Sequence, residues 1–340
     1  MMLRAFAPVG LALVLVACGG KQGGASQAAS TDASQQGTAA TNLPAATRSA
    51  ATPPVAPPAE ATGGFDGQQA YQYVADQVAI GPRSAGTEGD LRVQQYIVGK
   101  LQSFGCPVDQ EDFHTPTPIG NVAMKNIVAK IPGASPDIVL FTTHYDTKRL
   151  ENFVGADDGG SSTGVMLELA RLVCARKNAL TVWVAFFDGE EAFNLDWKDP
   201  DNTYGSRELA ARMAVSGDLT RVKAMLLADL VGGRNLHVKR EGNSTAWLTD
   251  LVWSTAARLG YKDVFLSDRV PIDDDHLSFL HRNVASVDII DLDTLNDVPY
   301  WHTPQDTLDK ISPRSLAIVG HVLIATLPQL EEKFHPGTHP

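Results

Sequence analysis

The stretch Leu180-Thr181-Val182-Trp183-Val184-Ala185-Phe186-Phe187-Asp188-Gly189-Glu190-Glu191 decides the fold. Its first eight residues carry no charge, have the length of a strand, and do not alternate between apolar and polar. A strand that is apolar at every position is buried on both faces, as in a parallel or mixed sheet lying between helices. In open sheets of that kind ligands bind beyond the carboxyl ends of the strands, so the acids that follow Phe187 are candidate functional groups. Outward from this segment, strand-like runs occur at 126–131, 138–143, 224–230 and 284–290. Apolar spacing of three and four predicts helices at 69–79, 89–104 and 161–176, with another starting at Ser206. The expected fold is therefore α/β: one globular domain over residues 65–332, with a mixed, mostly parallel central sheet and helices on both faces. No internal repeat is visible, and residues 333–340 read as a tail.

The 340 residues contain 28 Lys+Arg against 39 Asp+Glu, a formal net charge of −11. A chain so acidic, without basic clusters, is not built to neutralise phosphates, which argues against a nucleic-acid partner. Three cysteines, at 18, 106 and 174, are too few for a disulfide-stapled scaffold and contain no Cys-x-x-Cys. Any metal must then be held by His, Asp and Glu. Cys174, on a helical pattern, reads as a small buried hydrophobe, and the sequence leaves open whether it meets Cys106.

Residues 1–17 place Arg4 before an apolar run too short to span a bilayer, the pattern of a signal peptide. Leu15-Val16-Ala17-Cys18 resembles the lipobox of bacterial lipoproteins, implying cleavage before Cys18 and acylation of its thiol. Residues 18–64, rich in Ala, Ser, Thr, Gln, Gly and Pro, then read as a disordered tether that cannot bury enough surface to offset its ordering entropy. The expected location is the bacterial cell envelope, with the lipid anchor as the only membrane contact. Gly19 after the cysteine favours the outer membrane by analogy.

Each apolar run delivers His or carboxylate groups to one edge of the sheet. Residues 138–143 end in His144-Tyr145-Asp146, and 180–187 in Asp188-Gly189-Glu190-Glu191. Residues 224–228 end in Asp229, and Asp157-Asp158 precede a helix. Clustered anions repel unless a cation sits among them. His302, after an irregular connection, completes a donor set of oxygen and imidazole that favours zinc, with manganese and cobalt compatible. Asp146, two residues beyond His144, is placed to hydrogen-bond that ring from behind. Neighbouring side chains leaving a strand diverge, so one member of Glu190-Glu191 can bind the metal while the other stays free as a general base. Of the nine histidines, His114, His237, His335 and His339 read as solvated, His281 as surface and His321 as packed. His276 reads either as part of an acidic helix start or as an active-site wall.

These segments resemble the zinc-dependent aminopeptidase family, and within it the animal-type glutaminyl-peptide cyclotransferases. The resemblance rests on Gly81-Pro82-Arg83 with Gly86-Thr87, on His144 to Lys148, and on Phe153 to Asp158. It extends to Phe186 to Phe193, Tyr204-Gly205-Ser206-Arg207, Asp274-Asp275-His276 and Trp301-His302-Thr303. It implies zinc held by Asp158, Glu191 and His302, with Glu190 as general acid/base and Asp229 and Asp274 as its hydrogen-bonding companions. Trp197 and Trp301 would wall a substrate pocket. Two departures are visible. Thr143 and Thr163 stand where the animal enzymes pair cysteines, and Asp288 stands where they carry a histidine in the network behind the acid/base.

The resemblance implies two reactions. A cyclase uses one zinc per chain and converts the N-terminal glutamine of peptides or proteins to pyroglutamate with loss of ammonia. An aminopeptidase uses Glu190 to activate water, with His144 and Asp229 as ligands to a second metal, and all five ligands of such a pair are present. Ala192-Phe193, Trp197 and the Trp before His302 favour the cyclase. A non-catalytic binding module is the third reading, opposed by retention of Glu190 and every candidate ligand.

Overall fold

The computed structural model describes residues 55–291 and 298–337. In chain order these contain α1 (Gly67–Ile80), α2 (Glu88–Ser103), β1 (Val108–Thr117), β2 (Gly120–Ile131) and β3 (Ser135–His144). Next come α3 (Gly160–Ala175), β4 (Leu180–Phe187), α4 (Tyr204–Ser216), β5 (Val222–Asp229), β6 (Val238–Glu241) and α5 (Ala246–Arg258). β7 (Phe265–Val270), α6 (His276–Leu280), β8 (Ser286–Ile290) and α7 (Pro313–Phe334) follow. One six-stranded sheet has the order β1-β2-β4-β3-β5-β8, and β6 and β7 form a small parallel pair. β4, β3, β5 and β8 run parallel, while β2 joins β4, and β1 joins β2, in antiparallel sense.

The uniform apolarity of β4 has a direct cause. Val182, Val184 and Phe186 face a core shared with α1, α2, α3, α5 and α7, while Trp183, Ala185 and Phe187 face a second core under α4 and α6. Phe141 and Leu140 of β3 divide between the same two cores. Deleting a ring such as Phe141 from so closed a layer costs about 3–5 kcal/mol. α3 crosses one face and presses on α1 at Gly164, where an added Cβ would lie 2.8 Å from the Ala70 carbonyl oxygen.

β1 escapes the sequence reading because it is an edge strand. Its alternating half-exposed pattern and its Asp, Gln and Glu residues look like a loop, although ten of its residues pair with β2. β6 and β7 are missed for the same reason.

The expected signal segment, Cys18 and most of the tether lie outside the described residues. The end of the tether is packed, however, since Ala59–Thr62 form a 3-10 turn in which Thr62 is buried and donates its hydroxyl to the Phe65 carbonyl. Phe65 anchors this turn by lying against Gly320 of α7, where any Cβ would strike the ring. Cys106 and Cys174, whose pairing the sequence left open, form a disulfide across 68 residues, so Cys174 is cross-linked rather than merely buried. Adjacency of the α2–β1 connection to α3, invisible in one dimension, is what brings them together.

Candidate active site

The carboxyl ends of β3, β4 and β5 and the loops after β3 and β8 converge on one cavity of about 830 Å³. His144 ends β3, Glu190 and Glu191 follow β4, and Asp229 ends β5. Asp158 comes from the β3–α3 connection and His302 from the segment before α7. Among the described residues two donor groups have ligand atoms within 4.8 Å of one another: Asp158, Glu191 and His302, and His144, Asp158 and Asp229. Asp158 belongs to both.

In the first group His302 Nε2 is 3.2 Å from Asp158 Oδ2 and 3.0 Å from Glu191 Oε1. In the second His144 Nε2 is 3.0 Å from Asp229 Oδ1 and 3.4 Å from Asp158 Oδ1. Ligands about 2.1 Å from a tetrahedral zinc lie roughly 3.4 Å apart, so both groups are near coordination spacing. Glu191 Oε2 is buried without a hydrogen-bond donor, its cation at 3.6 Å being Lys148 Nζ. An oxygen and imidazole donor set with an orphaned buried carboxylate oxygen fits a divalent ion of the zinc class.

Electrostatics point the same way. Burial raises the Glu190 carboxyl well above the usual carboxylate range, with His144 opposing and Glu191, Asp274 and Asp275 adding to the rise. Asp274 is pushed up to about 7 by burial and by Asp229. Burial works against charge on His302, but Glu191 and Asp158 outweigh it and lift the ring to about 10. For Asp158, burial is overcome by the bonds to His144 and His302, which hold it below the usual range. The cavity has an excess of anion that a dication would relieve.

The loops are locked by partners that sequence reading did not single out. Asp306 accepts the backbone N–H of Asp157 at 2.8 Å and of Asp158 at 3.1 Å. Asp157 in turn accepts from the Gly232 N–H and the Tyr300 hydroxyl, both at 2.8 Å, tying the Asp158 loop to the segment bearing His302. Arg83 is fully buried, and its guanidinium donates to the carbonyls of Tyr145, Val154 and Gly155, drawing together the two ends of the β3–α3 connection that carries Asp158. Its place in Gly81-Pro82-Arg83 was legible, but its role in bracing the β3–α3 connection was not, because all three acceptors are backbone atoms. Gly159 has φ +75°, and an added Cβ would lie 2.6 Å from the Asp146 carbonyl oxygen and 3.1 Å from the His144 ring, so only glycine lets this turn close on the histidine. His302 itself has φ 50°, a strained conformation for a side-chain-bearing residue, and is gripped between Trp301, stacked at 4.1 Å, and Phe153, edge-on at 6.0 Å.

Several expected roles change. Asp146 lies 3.5 Å from His144 Nδ1, but its hydrogen bonds are accepted from the backbone N–H of Glu190 (3.0 Å) and Glu191 (3.3 Å), so it orients the dipeptide more than the ring. Asp229 accepts from the Leu230 N–H and meets His144, and Asp274 accepts from the Asp275 N–H. No hydrogen bond joins either carboxylate to Glu190, because both point from neighbouring elements toward other partners. Asp274 nevertheless lines the same cavity as Glu190. Asp288, on the edge strand β8, is fully buried, and its carboxylate lies 3.8 Å from His276 Nδ1. His276 pairs with Glu241 at 3.0 Å behind the cavity and is not part of its wall. Trp197 and Trp301 both line the cavity, as does Lys148.

Residues 126–327 match peptidase family M28. The chain is 30% identical to the glutaminyl-peptide cyclotransferase of Drosophila melanogaster over 278 residues, 72% of this chain and 76% of that one. Its fold is similar to that of a solved Acidobacteriales bacterium glutaminyl cyclase (TM-score 0.75, 35% identity, 79% of this chain and 96% of the other). It is also similar to a Zn-dependent exopeptidase from Parabacteroides distasonis (TM-score 0.69, 29% identity, 76% of this chain and 97% of the other). The family match runs from within β2 to within α7 and takes in every clustered side chain of the cavity, and the chain belongs to peptidase family M28.

Proposed function

We propose that the protein is a zinc-dependent glutaminyl-peptide cyclotransferase acting on the N-terminal glutamine of peptides or proteins. The observation that carries this reading is a buried carboxylate, Glu190, left outside both donor groups in a cavity walled by Trp197 and Trp301. Similarity to glutaminyl cyclases in sequence and in fold supports it.

Asp158, Glu191 and His302 would hold one zinc ion, which when bound polarises the substrate's γ-carbonyl. Glu190 takes a proton from the α-amine, whose nitrogen attacks the carbonyl carbon of the side-chain amide. The new C–N bond closes a five-membered lactam, the bond to the amide nitrogen breaks, and Glu190 returns the proton to the departing ammonia. Because nucleophile and electrophile belong to one residue, most of the entropic barrier is already met. A carboxyl raised by burial holds that proton readily, which suits an acid/base that must both accept and donate. Trp197 and Trp301 exclude water that would otherwise hydrolyse the amide.

A specific observation favours a second reading, an aminopeptidase in which Glu190 activates water. The group His144, Asp158 and Asp229 has the spacing for another metal. Incubation of the purified protein with a Gln-initiated and a Leu-initiated peptide separates the two: ammonia from the first supports the cyclase, and free leucine without ammonia refutes it.

The same proposal covers location, a lipid-anchored envelope protein acylated at Cys18. The Leu15 to Cys18 motif supports it, and so does the Cys106–Cys174 disulfide, a bond that persists mainly in oxidising compartments. Among the described residues no helix is long and apolar enough to cross a membrane.

A further inference from the structure

The cavity that holds Glu190 does not end at Trp197. Leu195 and Asp196 line it and also line a second cavity, of about 760 Å³, between the β1–β2 turn (Pro116, Thr117, Pro118) and residues 194–201. Leu195 and Asp196 thus form part of the wall of both cavities. Leu195 is 83% exposed, an unusual place for a large aliphatic side chain unless something covers it.

We infer that the rim formed by Leu195, Asp196 and Asp273 receives the residues that follow the glutamine in a peptide substrate, with Leu195 offering apolar contact and Asp196 selecting a basic side chain among them. The inference rests on the cyclase reading and specifies its substrate. A glutamine with its amide at the Asp158, Glu191 and His302 end must send its chain outward, toward the exposed residues Leu195, Asp196 and Asp273 that line the same cavity.

Charge decides the preferred occupant. The second cavity presents Asp196, Asp199 and Asp201 against Lys198. Asp201 is engaged inside its own loop, accepting from the Phe193 and Asn194 N–H groups and the Tyr204 hydroxyl, which fixes the loop that carries Leu195 and Asp196. Asp196 is exposed and, among the described residues, makes no hydrogen bond or ion pair. Asp273, also exposed, lines the first cavity together with Asp196, so a cationic side chain leaving that cavity is attracted by both carboxylates. An acidic side chain is repelled from both.

The test compares kcat/KM for the tetrapeptide amides Gln-Ala-Lys-Ala and Gln-Ala-Glu-Ala, with glutaminamide, which has no following residues, as the reference substrate for the wild-type protein. An exposed charge pair is worth a few-fold, and replacing attraction by repulsion doubles its logarithm, so the wild type should favour the Lys peptide by about tenfold at low salt. The preference should shrink at about 0.5 M salt. Asp196→Asn should cut it to about threefold, the share left to Asp273, and Asp196→Lys should abolish it, while Leu195→Ser should raise KM for both tetrapeptides. If the wild type cyclises glutaminamide but does not distinguish the tetrapeptides, or if Asp196→Lys keeps the Lys preference, the inference is wrong and the cyclase reading stands. If glutaminamide releases no ammonia, the cyclase reading and the inference fall together.

Discussion

Glu190 Oε2 lies 3.7 Å from His144 Nδ1, close enough to feel its charge and too far for a hydrogen bond. The carboxylate is thus oriented by its backbone, through Asp146, while its oxygens remain available to substrate. Glu190→Gln keeps the shape and removes the proton carrier. Turnover should fall by about a hundredfold to ten-thousandfold. Thermal stability and bound metal, read by calorimetry and elemental analysis, should be undiminished. Loss of metal in this variant would reassign Glu190 as a ligand.

Removal of the metal should destabilise the protein, and more so at higher pH. Asp274 moves from 3.8 to about 7 on burial, and Glu190 and Asp288 also move up. A carboxyl whose folded pKa is raised adds stability fully present below its unfolded value and lost as pH rises through the folded one. Chelated protein should therefore lose melting temperature between about pH 4 and pH 7, and the gap to metal-loaded protein should widen over that interval. Metal content near one per chain, abolished by His302→Ala and kept by His144→Ala, is the cyclase outcome. Two per chain supports the peptidase.

Asp306 touches no donor group directly, yet it holds both backbone N–H groups of Asp157 and Asp158. Asp306→Asn replaces one acceptor oxygen by a donor facing an N–H. Groups that orient ligands in this way are worth about 10–100-fold in metal affinity, and competition with a chromogenic chelator should read a loss of that size.

Reduction of the Cys106–Cys174 bond reopens a separation of 68 residues. Reduced protein, or Cys174→Ser, should be less stable to denaturant by about 2–5 kcal/mol, with activity retained while folded. Equal stability of the oxidised and reduced forms would show that packing alone holds α3 against the α2–β1 connection.

Cys18→Ser should release the protein from membranes into the soluble fraction on cell fractionation. Retention of that variant on membranes would refute acylation at this residue.

The parallel core was legible because β3, β4 and β5 are apolar on both faces, a pattern that no exposed element tolerates. The edge strand β1 was not, since it is half in water and its composition answers to solvent, whereas the buried edge strand β8 was. Within the site, Asp158, Glu190, Glu191, Asp229 and His144 could be found from their place after apolar runs. His302 was flagged, but its φ of 50° and its stacking on Trp301 were not foreseeable from sequence.

The sequence by itself determined which side chains arrive at the carboxyl edge of the sheet, because burial dictates the strands and the strands dictate where their ends lie. Only the tertiary structure decided what each then touches: Asp146 on the 190–191 backbone, Asp229 on His144, His276 on Glu241, Cys106 on Cys174. Those pairings depend on distances of a few ångström between segments far apart in the chain. Hydrophobic periodicity reports which face is buried and is silent about which neighbour is found there.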